Sequence, residues 1–255
     1  MSQVGCLAVF YNRRVSSRAL PSISVVIPTL NESENIGRLL DALEGQTYAP
    51  QIVVCDGGSD DGTRGIIKVR SESTVLVESE RGTARQRNAG AAYATGELLI
   101  FLDADNAPSP QFCEQLARSY RRVPFAVACP WFVARDSFAI RLCYLWFNFL
   151  FFLGQGWLRT GSGVCLVVPR VVWEKTGGFR EDLHLGEDVE FLRRCTKFGL
   201  HRHLLVPLET SGRRFELEGI ARLMWFYAVI SPLILFGRWE KLKQIGYRAS
   251  PYTKK

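Results

Sequence analysis

The chain has 255 residues, 47% of them hydrophobic and 22% charged. That fits one large α/β domain, or one domain with appendages, and excludes a disordered chain, a collagen-like repeat and a polytopic membrane protein. Lysine and arginine number 32 against 25 acids, a net charge of +7, which suits an anionic partner such as a nucleotide or a lipid headgroup.

Residues 1–22 read as a lead-in. The apolar patch within MSQVGCLAVFYNRR is too short for the core of a signal peptide, so a cytoplasmic protein is expected. The seven cysteines lie scattered, mostly in apolar runs such as IVVC and AVAC, with no C-x-x-C pair. They read as small core hydrophobes in a reducing compartment, not as zinc or redox ligands.

From residue 23 a regular alternation begins. ISVVIP predicts a strand, and Ile36, Leu39, Leu40 and Leu43 share one face of a helix capped near Asn31 or Ser33. QIVVC is a second strand, followed by a helix over 63–70, the strand TVLVE, a helix over 83–93, the strand ELLIFLD, a helix over 110–120 and the strand FAVAC. Strands alternating with short helices predict a mainly parallel, Rossmann-like sheet covered on both faces. The expected division is a nucleotide-binding half over 23–129, an acceptor and catalytic half over 130–212, and an apolar helix with a basic tail over 213–255.

In an open parallel sheet, ligands bind beyond the carboxyl ends of the strands. Three such ends are polar: Pro28-Thr29-Leu30-Asn31-Glu32, the segment from Asp56 to Thr63, and Asp103-Ala104-Asp105-Asn106. The loop Gly57 to Thr63 has P-loop spacing, but it carries two acids and lacks the lysine, and no G-x-G-x-x-G follows the first strand. Asp56 instead suits a base edge or a ribose hydroxyl, with an Asx turn as the alternative. Asp103 and Asp105, two apart in an extended segment, project to one side and suit magnesium or manganese, whose shell a diphosphate completes. In RGTARQRNAG, Arg85 and Asn88 share a helix face near an N-terminus that favours anions, or else form a solvated face.

After Cys129 the rhythm gives way to the apolar run LCYLWFNFLFFL (142–153), the Gly-rich TGSGVCLVVP, the acidic GEDVEFLRR, and a second apolar run, LMWFYAVISPLILF (223–236). Gly161, Ser162 and Gly163 either let a sugar approach the backbone or form a simple turn. Glu187 and Asp188 either do acid–base chemistry or cap the helix they open. His184, His201 and His203 carry only a weak claim on a metal. Neither apolar run is long enough to span a bilayer, so each is a core, re-entrant or interfacial helix. Arg141 and Arg159 bracket the first, and Arg238, Lys241, Lys243, Arg248, Lys254 and Lys255 follow the second, which favours an anionic membrane surface.

Taken together, VVIPTLNE, IVVCDGGSDDGT, GTARQRNAGAAYATGELLIFLDADN, TGSGVCLVVPRVVWEKTGGF and GEDVEFLRR resemble, in order over about residues 22–200, the inverting glycosyltransferases of family 2, which have the GT-A fold. The resemblance implies a sugar donor of the UDP or GDP type bound by Pro28, Thr29, Glu32 and Asp56. It implies a divalent cation, Mn2+ or Mg2+, held with the diphosphate by Asp103 and Asp105. Asp188 then fits the general base and Glu187 a positioning acid, with Arg85, Asn88 and Gly163 on the donor. The family's D-D-G-S pattern appears here as Asp56-Gly57-Gly58-Ser59, and the Q-x-x-R-W signature of processive synthases is absent, so non-processive transfer to a lipid-linked or saccharide acceptor is expected. A nucleotidyltransferase and a non-catalytic, membrane-associated binding protein are the rival readings, and nucleic acid is not an expected partner.

Overall fold

The computed structural model describes residues 19–155 and 158–245. Cys6, the N-terminal apolar patch, and Arg248, Lys254 and Lys255 of the expected basic tail lie outside the described residues.

A single eight-stranded sheet organises the chain, in the order β3-β2-β1-β4-β7-β6-β8-β5. Its first half follows the alternation in the sequence: β1 (Ile23–Thr29), α1 (Ile36–Glu44), β2 (Gln51–Asp56), α2 (Thr63–Lys68), β3 (Thr74–Glu78), α3 (Thr83–Tyr93) and β4 (Leu98–Leu102). β1 pairs in parallel with both β2 and β4, and β2 with β3. The carboxyl ends of β1, β2 and β4 therefore open on one edge. Every residue of β4 is buried, as expected of a central strand covered on both faces.

α1 buries Ile36, Leu39, Leu40 and Leu43 completely, each contributing about 2 kcal/mol of apolar burial. It begins at Ile36, not near Asn31 or Ser33. The intervening residues form a turn in which Asn31 takes φ +57° and the Glu32 carbonyl accepts the amides of Asn35 and Ile36. α3 lies close on β1, where a Cβ on Gly90 would come within 2.6 Å of Val26.

The second half is mixed. β5 (Asn106–Pro108) is followed by α4 (Phe112–Arg122), two residues later than expected, then β6 (Val127–Ala134), α5 (Phe138–Gly154), β7 (Cys165–Pro169), α6 (Arg170–Thr176), α7 (Glu187–Cys195), β8 (His201–Thr210), α8 (Arg213–Glu218), α9 (Ile220–Leu235) and α10 (Trp239–Gln244). β7 runs antiparallel to β4 and to β6, while β8 lies parallel to β6. β6 runs straight through the 129/130 junction at which the two functional halves were expected to meet. Its register with β8 shifts between Cys129 and Trp131, around Pro130, which has no amide to give the ladder.

Asn148 accounts for the polar break in the first apolar run. It is 1% exposed; its Nδ2 donates to the Phe132 carbonyl at 2.7 Å and its Oδ1 accepts the Phe132 amide at 3.0 Å. It thereby clips α5 to β6 beyond that irregular step. His203 Nε2 lies 3.1 Å from the same Oδ1, and His201 Nδ1 lies 3.1 Å from the Gln155 carbonyl. Burial holds both imidazoles down at about 4, which makes them neutral core side chains. Cys55, Cys113, Cys129, Cys143, Cys165 and Cys195 are all free thiols.

Candidate active site

Two loops line the crevice at the ends of β1 and β2. Thr29, 1% exposed, donates its hydroxyl to the Cys55 carbonyl, and the carbonyls of Thr29 and Cys55 both accept from Gln86 Nε2, at 2.5 and 3.0 Å. The Asp56 carboxylate accepts the amides of Gly58 and Ser59, each at 3.0 Å, and the Ser59 hydroxyl. That is the bonding of an Asx turn, and it shapes the loop from within. The two loops are then stitched together: the Glu32 amide donates to Thr63 Oγ1, the Ser33 amide to Asp61, and the Asp60 amide to Asn31 Oδ1. Pro28 stands half-buried at the end of β1.

The Glu32 carboxylate faces away from that seam. Its Oε2 accepts from Asn35 Nδ2 at 2.7 Å and its Oε1 from Arg213 Nη2 at 3.0 Å, so the start of α8 closes over the β1 loop. Arg213 also lies near Asp105.

Asp103 and Asp105 do not occupy an extended segment. β4 ends at Leu102 and the chain turns through Ala104 and Asp105, since the Asp103 carbonyl is taken by Asn106 Nδ2 at 2.8 Å. The two carboxylates therefore have different neighbours. Asp103 meets Arg87, and Asp105 has Glu32 and Arg213 nearby. They still feel each other: loss of solvent, with the charges of Asp105 and Asp188, raises the Asp103 carboxyl to about 7 despite Arg87. Burial, then Glu32, raises that of Asp105. Two hard carboxylates whose proton affinity stays raised despite the neighbouring arginines fit a divalent cation whose remaining positions come from diphosphate and water. Among the described residues, no group of three or more His, Cys, Asp and Glu is placed to hold a metal without such a ligand.

Arg87, which the sequence places beside Arg85 and Asn88 at a helix start that favours anions, turns out to be the central cation of the site. It lies on the face of α3 shared by Ala84 and Ala91 and is 2% exposed. Its Nη2 donates to Asp103 Oδ1 at 3.1 Å and to the Gly163 carbonyl at 2.7 Å, and its Nη1 reaches Glu187 Oε1 at 3.4 Å. The guanidinium also stands over the Phe179 ring, 5.4 Å from the centroid. Arg85, by contrast, pairs with Glu80 and, at 3.8 Å, with Glu181 on a half-exposed face. Asn88 fixes the turn after α6: it takes the Phe179 amide on Oδ1 at 2.8 Å and gives Nδ2 to the Phe179 carbonyl at 2.9 Å.

Glu187 and Asp188 form the first turn of α7, where acids are favoured by the helix dipole. The same position delivers both to the crevice. Asp188 Oδ1 accepts the Val189 amide at 2.8 Å. Its other oxygen packs against Gly163, where a Cβ would stand only 2.6 Å away. The close approach that glycine permits is thus to the Asp188 carboxylate. Burial raises the pKa of Glu187, with the Asp188 charge adding to it, and burial raises that of Asp188, while Arg87 opposes both. His184 is exposed.

The arrangement brings together a crevice at the carboxyl ends of β1, β2 and β4, a carboxylate pair suited to a cation, and a second, buried carboxylate pair with raised proton affinity. Residues 24–170 match the family model described as "Glycosyl transferase family 2". The chain is 39% identical over 104 residues to glycosyltransferase AglE of Haloferax volcanii, which covers 38% of this chain and 34% of AglE. It is 35% identical over 109 residues to validoxylamine A glucosyltransferase of Streptomyces hygroscopicus subsp. limoneus, covering 40% of this chain and 24% of the relative. The matched stretch thus spans about a third or less of these relatives. Among solved structures, the chain resembles S. aureus TarS 1-349 in complex with UDP, with a TM-score of 0.62 and 19% identity over 74% of this chain and 60% of that one. It also resembles the Pyrobaculum calidifontis mannosyltransferase PcManGT in complex with GDP-Man and Mn2+, with a TM-score of 0.60 and 20% identity over 95% of this chain and 79% of that one. These likenesses are to the mixed α/β fold of GT-A type that the sheet describes. With the family model matching more than half of its length, this chain belongs to glycosyltransferase family 2.

Proposed function

We propose that the protein is an inverting, non-processive glycosyltransferase that moves a sugar from a nucleoside-diphosphate donor, of UDP or GDP type, to a hydroxyl or phosphate of a lipid-linked or saccharide acceptor. The observation that carries this reading is the position of Arg87, one buried guanidinium joining the carboxylate that ends β4 to the acids that open α7. Donor and acceptor chemistry then share one point in space.

In this mechanism Asp188 takes the proton from the acceptor oxygen as that oxygen attacks the anomeric carbon from the face opposite the leaving group. A new carbon–oxygen bond forms, the bond from the anomeric carbon to the diphosphate oxygen breaks, and its electron pair leaves with the nucleoside diphosphate. Glu187 engages Arg87 directly, which suits positioning better than proton abstraction. Pro28 and Glu32 would face the nucleoside at the end of β1, while Thr29 and Asp56, each 1% exposed, would shape its crevice from beneath. Asp103 and Asp105 would hold a divalent cation, Mn2+ or Mg2+, which supplies neutralisation of charge on the departing diphosphate. The mannosyltransferase neighbour crystallised with GDP-Man and Mn2+ supports the cation. An E. coli relative named as acting on a diphosphoundecaprenol acceptor, 33% identical over 88 residues, 33% of this chain and 35% of that relative, supports the lipid-linked acceptor. A cytoplasmic protein held peripherally at a membrane follows from that acceptor.

The test is incubation with a panel of nucleoside-diphosphate sugars and a membrane lipid extract, read by mass spectrometry of products, with the Asp188→Asn variant as control. A sugar-bearing product with wild type alone supports the reading. No sugar-bearing product, but conversion of the nucleoside-diphosphate sugar to nucleoside triphosphate and sugar 1-phosphate when pyrophosphate is added, would favour a nucleotidyltransferase.

A further inference from the structure

The outward faces of α5 and α9 are apolar, exposed and side by side. Phe147 of α5 and Tyr227 of α9 meet edge to face at 5.6 Å between ring centroids. Around them Ile140, Phe215 and Leu223 make a small core of their own. With the inward faces used up in this way, Leu145, Trp146 and Phe149 on α5, and Trp225, Val229 and Phe236 on or just beyond α9, remain in solvent, Trp225 at 72% and Phe236 at 79% exposure. Phe226 and Tyr227 of the same run pack toward this small core. Each helix is about 25 Å long, so their joint outer face is on the order of 500 Å², at the upper end of what a soluble monomer leaves uncovered.

We propose that this two-helix face is a docking surface for an anionic lipid bilayer, lying in the interface without crossing it. Three observations choose that occupant. First, Arg141 is the only charged residue of α5 and Arg222 of α9, and both are exposed, so the two helices carry positive charge and no acid. Two copies of this chain sharing the face would bring four arginines and no acid from these helices into one interface, whereas lipid phosphates complement them. Second, Trp146 and Trp225 point outward, the residue type that favours the boundary between headgroups and acyl chains. Third, among the described residues no helix is long and apolar enough to cross a membrane, so the face can be buried in lipid only by lying flat.

The face is mechanically tied to the catalytic turn. Arg193 of α7 donates to the Ile234 carbonyl at 2.6 Å and to that of Leu235 at 3.2 Å. A Cβ on Gly186, the residue before Glu187, would stand 3.5 Å from Ile234. A bilayer seated on α9 would therefore hold the Glu187–Asp188 turn near the headgroup layer. This last consequence rests on the transferase reading, but the docking surface does not.

The test is flotation of the full chain with vesicles of phosphatidylcholine alone or with added phosphatidylglycerol, at low and high salt. Wild type should float with the anionic vesicles and be partly released by salt. Leu145→Ser with Trp225→Ser should lower the bound fraction by about tenfold, and Arg141→Gln with Arg222→Gln should remove the salt-sensitive part. Both pairs should retain wild-type melting curves and wild-type affinity for UDP or GDP by calorimetry. Wild type remaining in the aqueous layer at low salt overturns the proposal. So does a dimer, seen by light scattering, that the serine pair dissociates. Nucleotide binding is read in the same samples, so loss of docking and failure of the donor site are told apart.

Discussion

Arg87 Nη2 lies 3.1 Å from Asp103 Oδ1, and this ion pair, with Arg87 only 2% exposed, places a positive charge between the two acidic motifs of the crevice. A charge so placed lowers the proton affinity of every carboxylate around it, and Asp103, Glu187 and Asp188 all show that opposing influence. Arg87→Met removes it. The expected results are a loss of about 3–5 kcal/mol in stability, as for one partner removed from a buried pair, and an acid limb of the rate profile moved to higher pH. Arg87→Lys should restore much of the limb position but not the rate, because an ammonium cannot make the three-way contact of a guanidinium. Urea melts and pH–rate profiles check both. A residue with a merely structural role would lose stability without moving the limb.

Asp105→Ala tests the cation. With Asp103 already engaged by Arg87, Asp105 is the carboxylate of the pair with more freedom to bind metal. Nucleoside diphosphate should bind wild type more tightly with manganese than with chelator, by about tenfold or more, roughly 1.4 kcal/mol. The variant should bind equally weakly in both. Calorimetric titration of both proteins decides it, and an undiminished manganese effect in the variant would move the ligand role elsewhere.

How much of this was legible in the sequence depends on what each pattern encodes. Burial periodicity marked β1, β2, β3 and β4 and the helices between them, because a doubly covered strand must be apolar throughout and a covering helix apolar on one side. It could not give direction, so the antiparallel β7 that carries Gly163 to Asp188 was invisible. The start of α1 was misplaced because Asn31 and Ser33 look like caps, while the chain spends them on bonds to the neighbouring loop. Arg85 and Asn88 drew attention as polar residues near a helix start. The stronger signal was that Arg87 shares its face with Ala84 and Ala91, small residues that let a helix sit close on a sheet and so turn the arginine inward. The exposure of α5 was equally hidden: composition shows an apolar run but not which side of it finds a partner.

Asp188→Asn removes the proton acceptor with little change in volume. Turnover should fall by about a thousandfold, while donor affinity changes by less than about tenfold. Rates at saturating donor alongside calorimetric binding separate the two. Turnover that survives would assign the base to Glu187.

The pH profile follows from the crowding of Glu187 and Asp188. Burial and mutual repulsion raise the proton affinity of the pair above the ordinary carboxylate value of about 4. The base must be unprotonated to act, so the rate should fall as pH drops through this raised value, not only near pH 4, and the limb belongs to the pair as a whole. Glu187→Gln takes away one charge of the pair and leaves Arg87 facing Asp188, so the limb should shift to lower pH. A limb unmoved in that variant would show that the two acids do not titrate together.

Gly163→Ala asks whether the close packing of backbone on carboxylate matters. Gly163 does not need a left-handed conformation, since its φ is outside the positive range that appears elsewhere in the chain. Alanine therefore brings no backbone strain, and its effect comes from the added methyl alone. That Cβ would stand 2.6 Å from Asp188 Oδ2 and 2.9 Å from Asp188 Cβ, distances that force the side chain or the helix start to move. A displacement of about 1 Å at the reacting centre is enough for a hundredfold loss of rate. Nucleotide affinity should hold, because the β1 and β2 loops are untouched, and the Arg87 contact to the Gly163 carbonyl should survive with the backbone. Rate measurements with binding controls make the comparison, and a variant with wild-type turnover would mean that Asp188 does not act from the position in which it is packed.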